Sequence, residues 1–152
     1  MKTNVMRILD QKKINYIVHT YRNAISGIEV ADTLHESYDK VFKTLVTVSN
    51  TNINYVFVVP VNKELDLKRA AKVVGEKSIE MLKSSNLLSL TGYIHGGCSP
   101  IGMKKQFKTI IDISASNKDK IYISAGKIGY QIEIELKELQ KVINFKLDDI
   151  AK

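Results

Sequence analysis

Residues 53 to 61, Ile53-Asn54-Tyr55-Val56-Phe57-Val58-Val59-Pro60-Val61, form the most apolar run in the chain. β-Branched and aromatic side chains dominate it, and its length suits a strand better than a helix. It lacks the polar alternation of a half-wet strand, so it is predicted to be buried on both faces. Val41-Phe42-Lys43-Thr44-Leu45-Val46-Thr47-Val48 stands just before it, again β-branched, followed by the turn Asn50-Thr51-Asn52. The two runs are predicted to pair as a hairpin through the centre of a sheet.

Other elements follow from caps and periodicity. Thr3 or Asn4 can cap a first helix with Val5, Ile8 and Leu9 on its inner face. Residues 16–21 read as a strand, 22–27 as a loop, and Glu29 to Glu36 as a short helix. Asp66 caps a helix whose Leu67, Ala70, Ala71 and Val74 recur at helical spacing before Gly75 ends it. Residues 78–82 are ambiguous, and Ser84 or Ser85 can start a helix reaching Leu90. Residues 109–113 read as a strand. Residues 121–124 and 130–134 read as a hairpin, Leu136 to Ile143 as a last helix, and Phe145 to Leu147 as a short strand. About six or seven strands mixed with four or five helices give an α+β fold, predicted as a single domain over residues 1–152.

Composition bounds function loosely. The net charge of +7 favours an anionic partner such as nucleic acid. A single cysteine permits no internal disulfide and fits a reducing, cytoplasmic setting. No apolar run is long enough to span a bilayer, and the first residues lack the apolar block of a signal peptide, so no membrane partner is expected.

Candidate chemistry concentrates in three places. Gly96-Gly97-Cys98-Ser99-Pro100-Ile101-Gly102 cannot be a regular helix or strand. It is predicted to be a stiff loop whose N–H groups suit an oxyanion or a phosphate, with Lys104 and Lys105 just beyond. Lys43 interrupts an apolar strand. It either points to solvent from an edge or is held in a pocket, where its ammonium would face a phosphate or a developing oxyanion. Ser124-Ala125-Gly126-Lys127 reads as a turn that a ligand could approach closely. Cys98 with His95 lacks a second ligand pair for a metal, and as a nucleophile it would need a basic partner. A small buried thiol is the default reading. Lys68, Lys72, Lys104, Lys105 and Lys108 are candidate phosphate contacts, set against the ordinary reading of solvated faces.

Five ordered segments carry a resemblance: Phe42-Lys43-Thr44-Leu45; Pro60-Val61 with Leu65-Asp66-Leu67-Lys68; Thr91-Gly92-Tyr93; the glycine loop from Gly96 to Gly102; and Ser124-Ala125-Gly126-Lys127. In that order the chain resembles the YbaK-type aminoacyl-tRNA deacylases, free-standing relatives of the editing domain of bacterial prolyl-tRNA synthetase. The resemblance runs from about Val5 to Ala151 and is nearest the branch that acts on Cys-tRNA(Pro). It implies an α+β domain built around a mixed, barrel-like β-sheet with flanking helices. It implies a catalytic Lys43 and a substrate pocket containing Tyr21, Thr44, Gly96, Gly97, Ser99, Pro100, Ser124, Ala125, Gly126 and Gln131. Gln131 stands where some members carry an acidic residue, and family members often have Val or Ile where Cys98 sits. No metal and no organic cofactor is implied. The implied partners are mischarged tRNA and prolyl-tRNA synthetase.

Overall fold

Thirteen helices and strands build the fold in the computed structural model, which describes Met1–Lys152. They follow the chain as α1 (Asn4–Gln11), β1 (Ile17–Thr20), α2 (Gly27–Thr33), β2 (Phe42–Ser49), β3 (Asn54–Pro60), α3 (Leu67–Val74) and β4 (Ile79–Met81), then α4 (Leu87–Thr91), β5 (Lys108–Asp112), β6 (Ile121–Ser124), β7 (Tyr130–Ile134), α5 (Leu136–Leu139) and β8 (Lys146–Asp148). Two sheets result, with strand orders β1-β7-β6 and β4-β2-β3-β5-β8. No helix is long and apolar enough to cross a membrane.

The predicted hairpin is the centre of the larger sheet. β2 and β3 pair antiparallel from Phe42↔Pro60 to Val48↔Asn54, and β3 then pairs in parallel with β5. Both faces of β3 are covered, as its unbroken apolar run requires. Val56 and Val58 join the main core with Val5, Met6 and Leu9 of α1 and with Ile121, Ile123 and Ile132 of the smaller sheet. Tyr55, Phe57 and Val59 face a second core closed by Ala70 and Ala71 of α3. The caps also act as read. Thr3 Oγ1 accepts from Met6 N–H at 3.2 Å, and Asp66 Oδ1 accepts from Lys68 and Arg69 N–H, each at 3.1 Å.

The helix expected over residues 136–143 ends at Leu139, and two further expectations need correction. The helix expected over Glu29–Glu36 begins at Gly27 and ends at Thr33. Ser26 and Glu29 form a reciprocal cap: Ser26 Oγ accepts from Glu29 N–H at 3.2 Å, and Glu29 Oε1 accepts from Ser26 N–H at 3.1 Å. A Ser-x-x-Glu sequence is the signature of this arrangement and fixes the start two residues early. The second correction concerns the sheet, which does not close into a barrel. The two sheets join through one parallel bridge, Val41↔Tyr122, backed by the bond from Tyr122 N–H to Lys40 C=O at 2.9 Å. Beyond it no ladder links β2 to β6. Side chains of α1 and of the 93–107 loop pack into the core shared by the two sheets.

Candidate functional site

The gap between the parting sheets is a cavity of about 380 Å³. β4 pairs with β2 only at Thr47–Ser49, so the β2 edge from Val41 to Leu45 lies open beside it. That open edge explains why residues of both β2 faces border one space. Phe42 and Thr44 project to one side of a strand and Lys43 and Leu45 to the other, yet all four line the cavity. Ser124 and Gln131, paired across the β6–β7 ladder, form the opposite wall. His95, Gly96 and Cys98 close one end, Ile25 to Ile28 at the start of α2 another, and Val61 and Leu87 complete the lining.

Lys43 is half-buried here, with no carboxylate within ion-pair distance. Burial pushes its ammonium pKa down, and the more distant Glu64 carboxylate opposes this in part. Thr44 Oγ1 and Gln131 Oε1 are buried without a hydrogen-bond partner. Such groups are costly to leave unmade, by about 1–3 kcal/mol each, so two of them at one cavity point to a ligand that completes them.

The glycine loop is rigid for reasons visible in its bonds. Gly97 N–H donates to Ile94 C=O at 3.0 Å, Ile101 N–H to Ser99 Oγ at 3.2 Å, and Tyr93 O–H to Ile101 C=O. Gly96 has φ +89°, a conformation that other residues rarely adopt. Several expected oxyanion donors are therefore already engaged. Gly97 N–H is given to Ile94, Ala125 N–H to Tyr130 C=O at 3.1 Å, and Gly126 N–H to Ser124 Oγ at 3.1 Å. Gly96 and Cys98 N–H carry no internal bond and stand at the cavity.

Of the residues singled out in the sequence, Lys43, Thr44, Gly96, Ser124 and Gln131 meet at the cavity surface. Gly97, Ser99, Pro100, Ala125 and Gly126 do not line it. They form the wall behind, with Ser99 and Ala125 at zero exposure. Tyr21 is also absent from the lining. It packs with Ala24 and Val30, and its hydroxyl is buried without a partner. Sequence reading missed Ile25 to Ile28 because it placed residues 22–27 in a loop and began the helix at Glu29, and the Ser26–Glu29 capping pattern was the signal that could have found them. It gave no role to Leu87 or Val61. Cys98 is buried, and burial pushes its thiol up to about 12, so it stays protonated at neutral pH.

Comparison with known proteins shows the family and the fold. Residues 23–142 match the model of the aminoacyl-tRNA editing domain. An Enterococcus faecalis protein, provisionally named Cys-tRNA(Pro)/Cys-tRNA(Cys) deacylase EbsC, is 43% identical over 99% of this chain and 93% of its own. Two crystal structures share the fold. One is that of the hypothetical protein APE2540, with TM-score 0.90 at 20% identity over 99% of this chain and 100% of the other. The second is of a protein provisionally described as a trans-editing enzyme for prolyl-tRNA synthetase, with TM-score 0.84 at 19% identity over 100% and 99%. With the family match covering most of its length and every wall of the cavity, this chain belongs to the aminoacyl-tRNA editing domain family.

Proposed function

We propose that the protein is a trans-editing deacylase that removes cysteine mischarged onto tRNA(Pro) and also accepts Cys-tRNA(Cys), in the cytoplasm and beside prolyl-tRNA synthetase. One observation carries the reading. A half-buried, unpaired lysine shares a small cavity with two partnerless polar side chains and two free loop amides. The size fits the end of an aminoacyl ester and excludes a folded nucleic acid.

An editing site of this kind meets a definite need. Cysteine and proline are close in size, and a synthetic pocket separates such ligands by only about 1–3 kcal/mol per methylene-scale difference. A second site that destroys the mistake supplies the missing discrimination. The substrate's own thiol attacks its carbonyl carbon. A C–S bond forms, the C–O bond to the terminal ribose breaks, and the thiol proton ends on the ribose oxygen. The product is a cyclic thiolactone. The protein supplies position and electrostatics. Gly96 and Cys98 N–H face the carbonyl oxygen as it gains charge, Lys43 adds a cation beside it, and Gln131 Oε1 and Thr44 Oγ1 take the substrate's ammonium.

Deacylation assayed side by side with Cys-, Ala- and Pro-charged tRNA(Pro) tests the assignment. Preference for the cysteinyl ester supports it. Preference for alanine moves the protein to a different specificity, and no turnover with retained binding makes it a silent aminoacyl-tRNA-binding module, a reading that the neutral Gln131 favours.

Two substitutions follow from the site. Thr44→Val removes a buried hydroxyl that has no partner, so the free protein is expected to melt at an equal or higher temperature while KM for the charged tRNA rises about tenfold, the worth of one hydrogen bond. Lower stability with unchanged KM would show that the hydroxyl serves the fold. Cys98→Val is expected to keep the full rate, because a thiol held protonated by burial makes a poor nucleophile. Loss of activity in that variant would place the thiol in the chemistry.

A further inference from the structure

We infer that His95 is the proton carrier of the reaction: its imidazole takes the proton from the substrate's thiol and hands it to the departing ribose oxygen. The inference rests on the editing reading above, in which that proton must travel from sulfur to oxygen.

The make-up of the cavity wall carries it. No Asp or Glu lines the cavity, and its ionisable side chains are Lys43, His95 and Cys98. Lys43 is occupied as the cation beside the carbonyl, and the Cys98 thiol, pushed up to about 12 by burial, keeps its proton. That leaves the imidazole, the one side chain type that takes up and gives back a proton around neutral pH without a special setting. Its ring nitrogens form no hydrogen bond or ion pair within the protein, whereas His19 is committed to Glu133 at 2.9 Å. His35, the third histidine, does not line the cavity. Of the elements around this end of the cavity, β2 contributes Lys43 and the turn after β6 contributes Lys127, which lies against Gly97. The start of α2 contributes Glu29, whose carboxylate accepts from Ser26 N–H at 3.1 Å.

The backbone fixes where the ring starts from. Gly97 N–H donates to Ile94 C=O at 3.0 Å, which closes a four-residue turn with His95 and Gly96 at its corner. Gly96 has φ +89° while His95 keeps a negative φ, the pattern of a type II turn. Ile25 Cγ2 and Ile128 Cδ1 stand 3.0 and 3.4 Å from where a Cβ on Gly96 would sit, so the corner is wedged between two other loops. Gly96 N–H, one of the two free amides at the cavity, follows His95 directly in the chain. One rigid turn therefore presents a proton acceptor and an oxyanion donor side by side. His95 is also exposed, which puts it where the cavity meets solvent and the ribose end of the ester must lie. The step balances without a co-reactant. The S–H bond breaks as the unprotonated ring nitrogen takes the proton, and the thiolate forms the C–S bond. The C–O bond to the ribose breaks, and the imidazolium gives its proton to the ribose oxygen, so the ring ends as it began.

The size of the effect follows from the substrate. A free thiol has a pKa of about 8.5, so only a few per cent is thiolate near pH 7. A base that ionises it in place gains at most about 30-fold there, and little once the medium has ionised it already. The test is single-turnover cleavage of Cys-tRNA(Pro) by the parent, His95→Ala and His95→Gln from about pH 6 to about pH 9, corrected for spontaneous loss of the ester. Both variants should lose about 10- to 30-fold in rate near pH 7 with substrate affinity unchanged, and should come within about threefold of the parent near pH 9. Added imidazole should restore His95→Ala in proportion to its concentration and leave the parent unaffected. His95→Gln keeps a polar side chain and guards against a folding defect in the alanine variant. A loss of equal size at neutral and alkaline pH, or weaker affinity at an unchanged rate, makes His95 a structural or binding residue and overturns the inference. Parental rates in both variants overturn it too, and so does the absence of any response to imidazole. A parent protein that cleaves no charged tRNA sinks the editing reading and this inference together. A parent that cleaves Cys-tRNA(Pro), with variants that fail the pH and imidazole criteria, sinks this inference alone.

Discussion

Replacing Lys43 with alanine is expected to lower deacylation of Cys-tRNA(Pro) by about 10²- to 10³-fold, the usual worth of one preorganised charge or donor at a developing oxyanion. The fold should survive. The Lys43 ammonium makes no ion pair, and burial holds its pKa below the ordinary lysine range. A base whose folded pKa is lowered binds its proton less well in the native state than in the unfolded chain. The native state therefore gains relative stability as pH rises from the folded toward the unfolded pKa, and the charged lysine opposes folding below that window. Lys43→Met, which keeps most of the stem and drops the charge, should be at least as stable as the parent and as inactive as Lys43→Ala. The pH profile follows from the same sign. If the cation is what acts, the rate should fall on the alkaline side at a pH below that of an ordinary lysine, and this limb should vanish in the residual activity of Lys43→Met. Near-parental turnover by either variant removes Lys43 from the mechanism, and a collapsed near-UV spectrum would show a structural role instead.

Gly27→Ala is the second large effect, and here two principles predict opposite signs. Alanine is the better helix former at the first position of α2 and restricts the unfolded chain, which alone would stabilise by about 0.5–1 kcal/mol. Space decides otherwise. A Cβ on Gly27 would stand 2.3 Å from Val61 Cγ1 and 2.8 Å from its Cβ. Val61 cannot retreat, because it is buried and its N–H donates to Val41 C=O at 2.9 Å. Overpacking of this kind costs about 1–3 kcal/mol, so a net loss is expected. The displacement also reaches the substrate, since Ile25 to Ile28 and Val61 line the same cavity. A raised KM should accompany the lower melting temperature. Val61→Ala in the same chain removes the closer contact. A double-mutant cycle should then show a favourable coupling of at least about 1 kcal/mol. A more stable Gly27→Ala protein with unchanged KM would mean that α2 can slide away from β3, and the cavity is looser than its walls indicate.

The two predictions differ in how far the sequence could have reached them. Lys43 declared itself, since a lysine inside a β-branched run is a local anomaly. Gly27 did not. Its neighbour Val61 is far along the chain, and nothing near Gly27 announces the contact. Gln131 and Thr44 were marked as pocket residues by resemblance alone. Only their burial without a partner, from separate sheets, gives the marking a physical reason.

Local patterning determined a great deal by itself. The uninterrupted run from Tyr55 to Val59 made β3 a doubly covered central strand, and Thr3 and Asp66 fixed the starts of α1 and α3, because caps and periodicity act over only a few residues. The cavity was decided only in three dimensions. It exists because β4 is too short to cover the whole edge of β2, and because the two sheets separate after a single bridge. Both facts depend on packing between segments distant in the chain, which no local pattern encodes. That parting brings one lysine, two unpartnered polar side chains and two free amides to one small space.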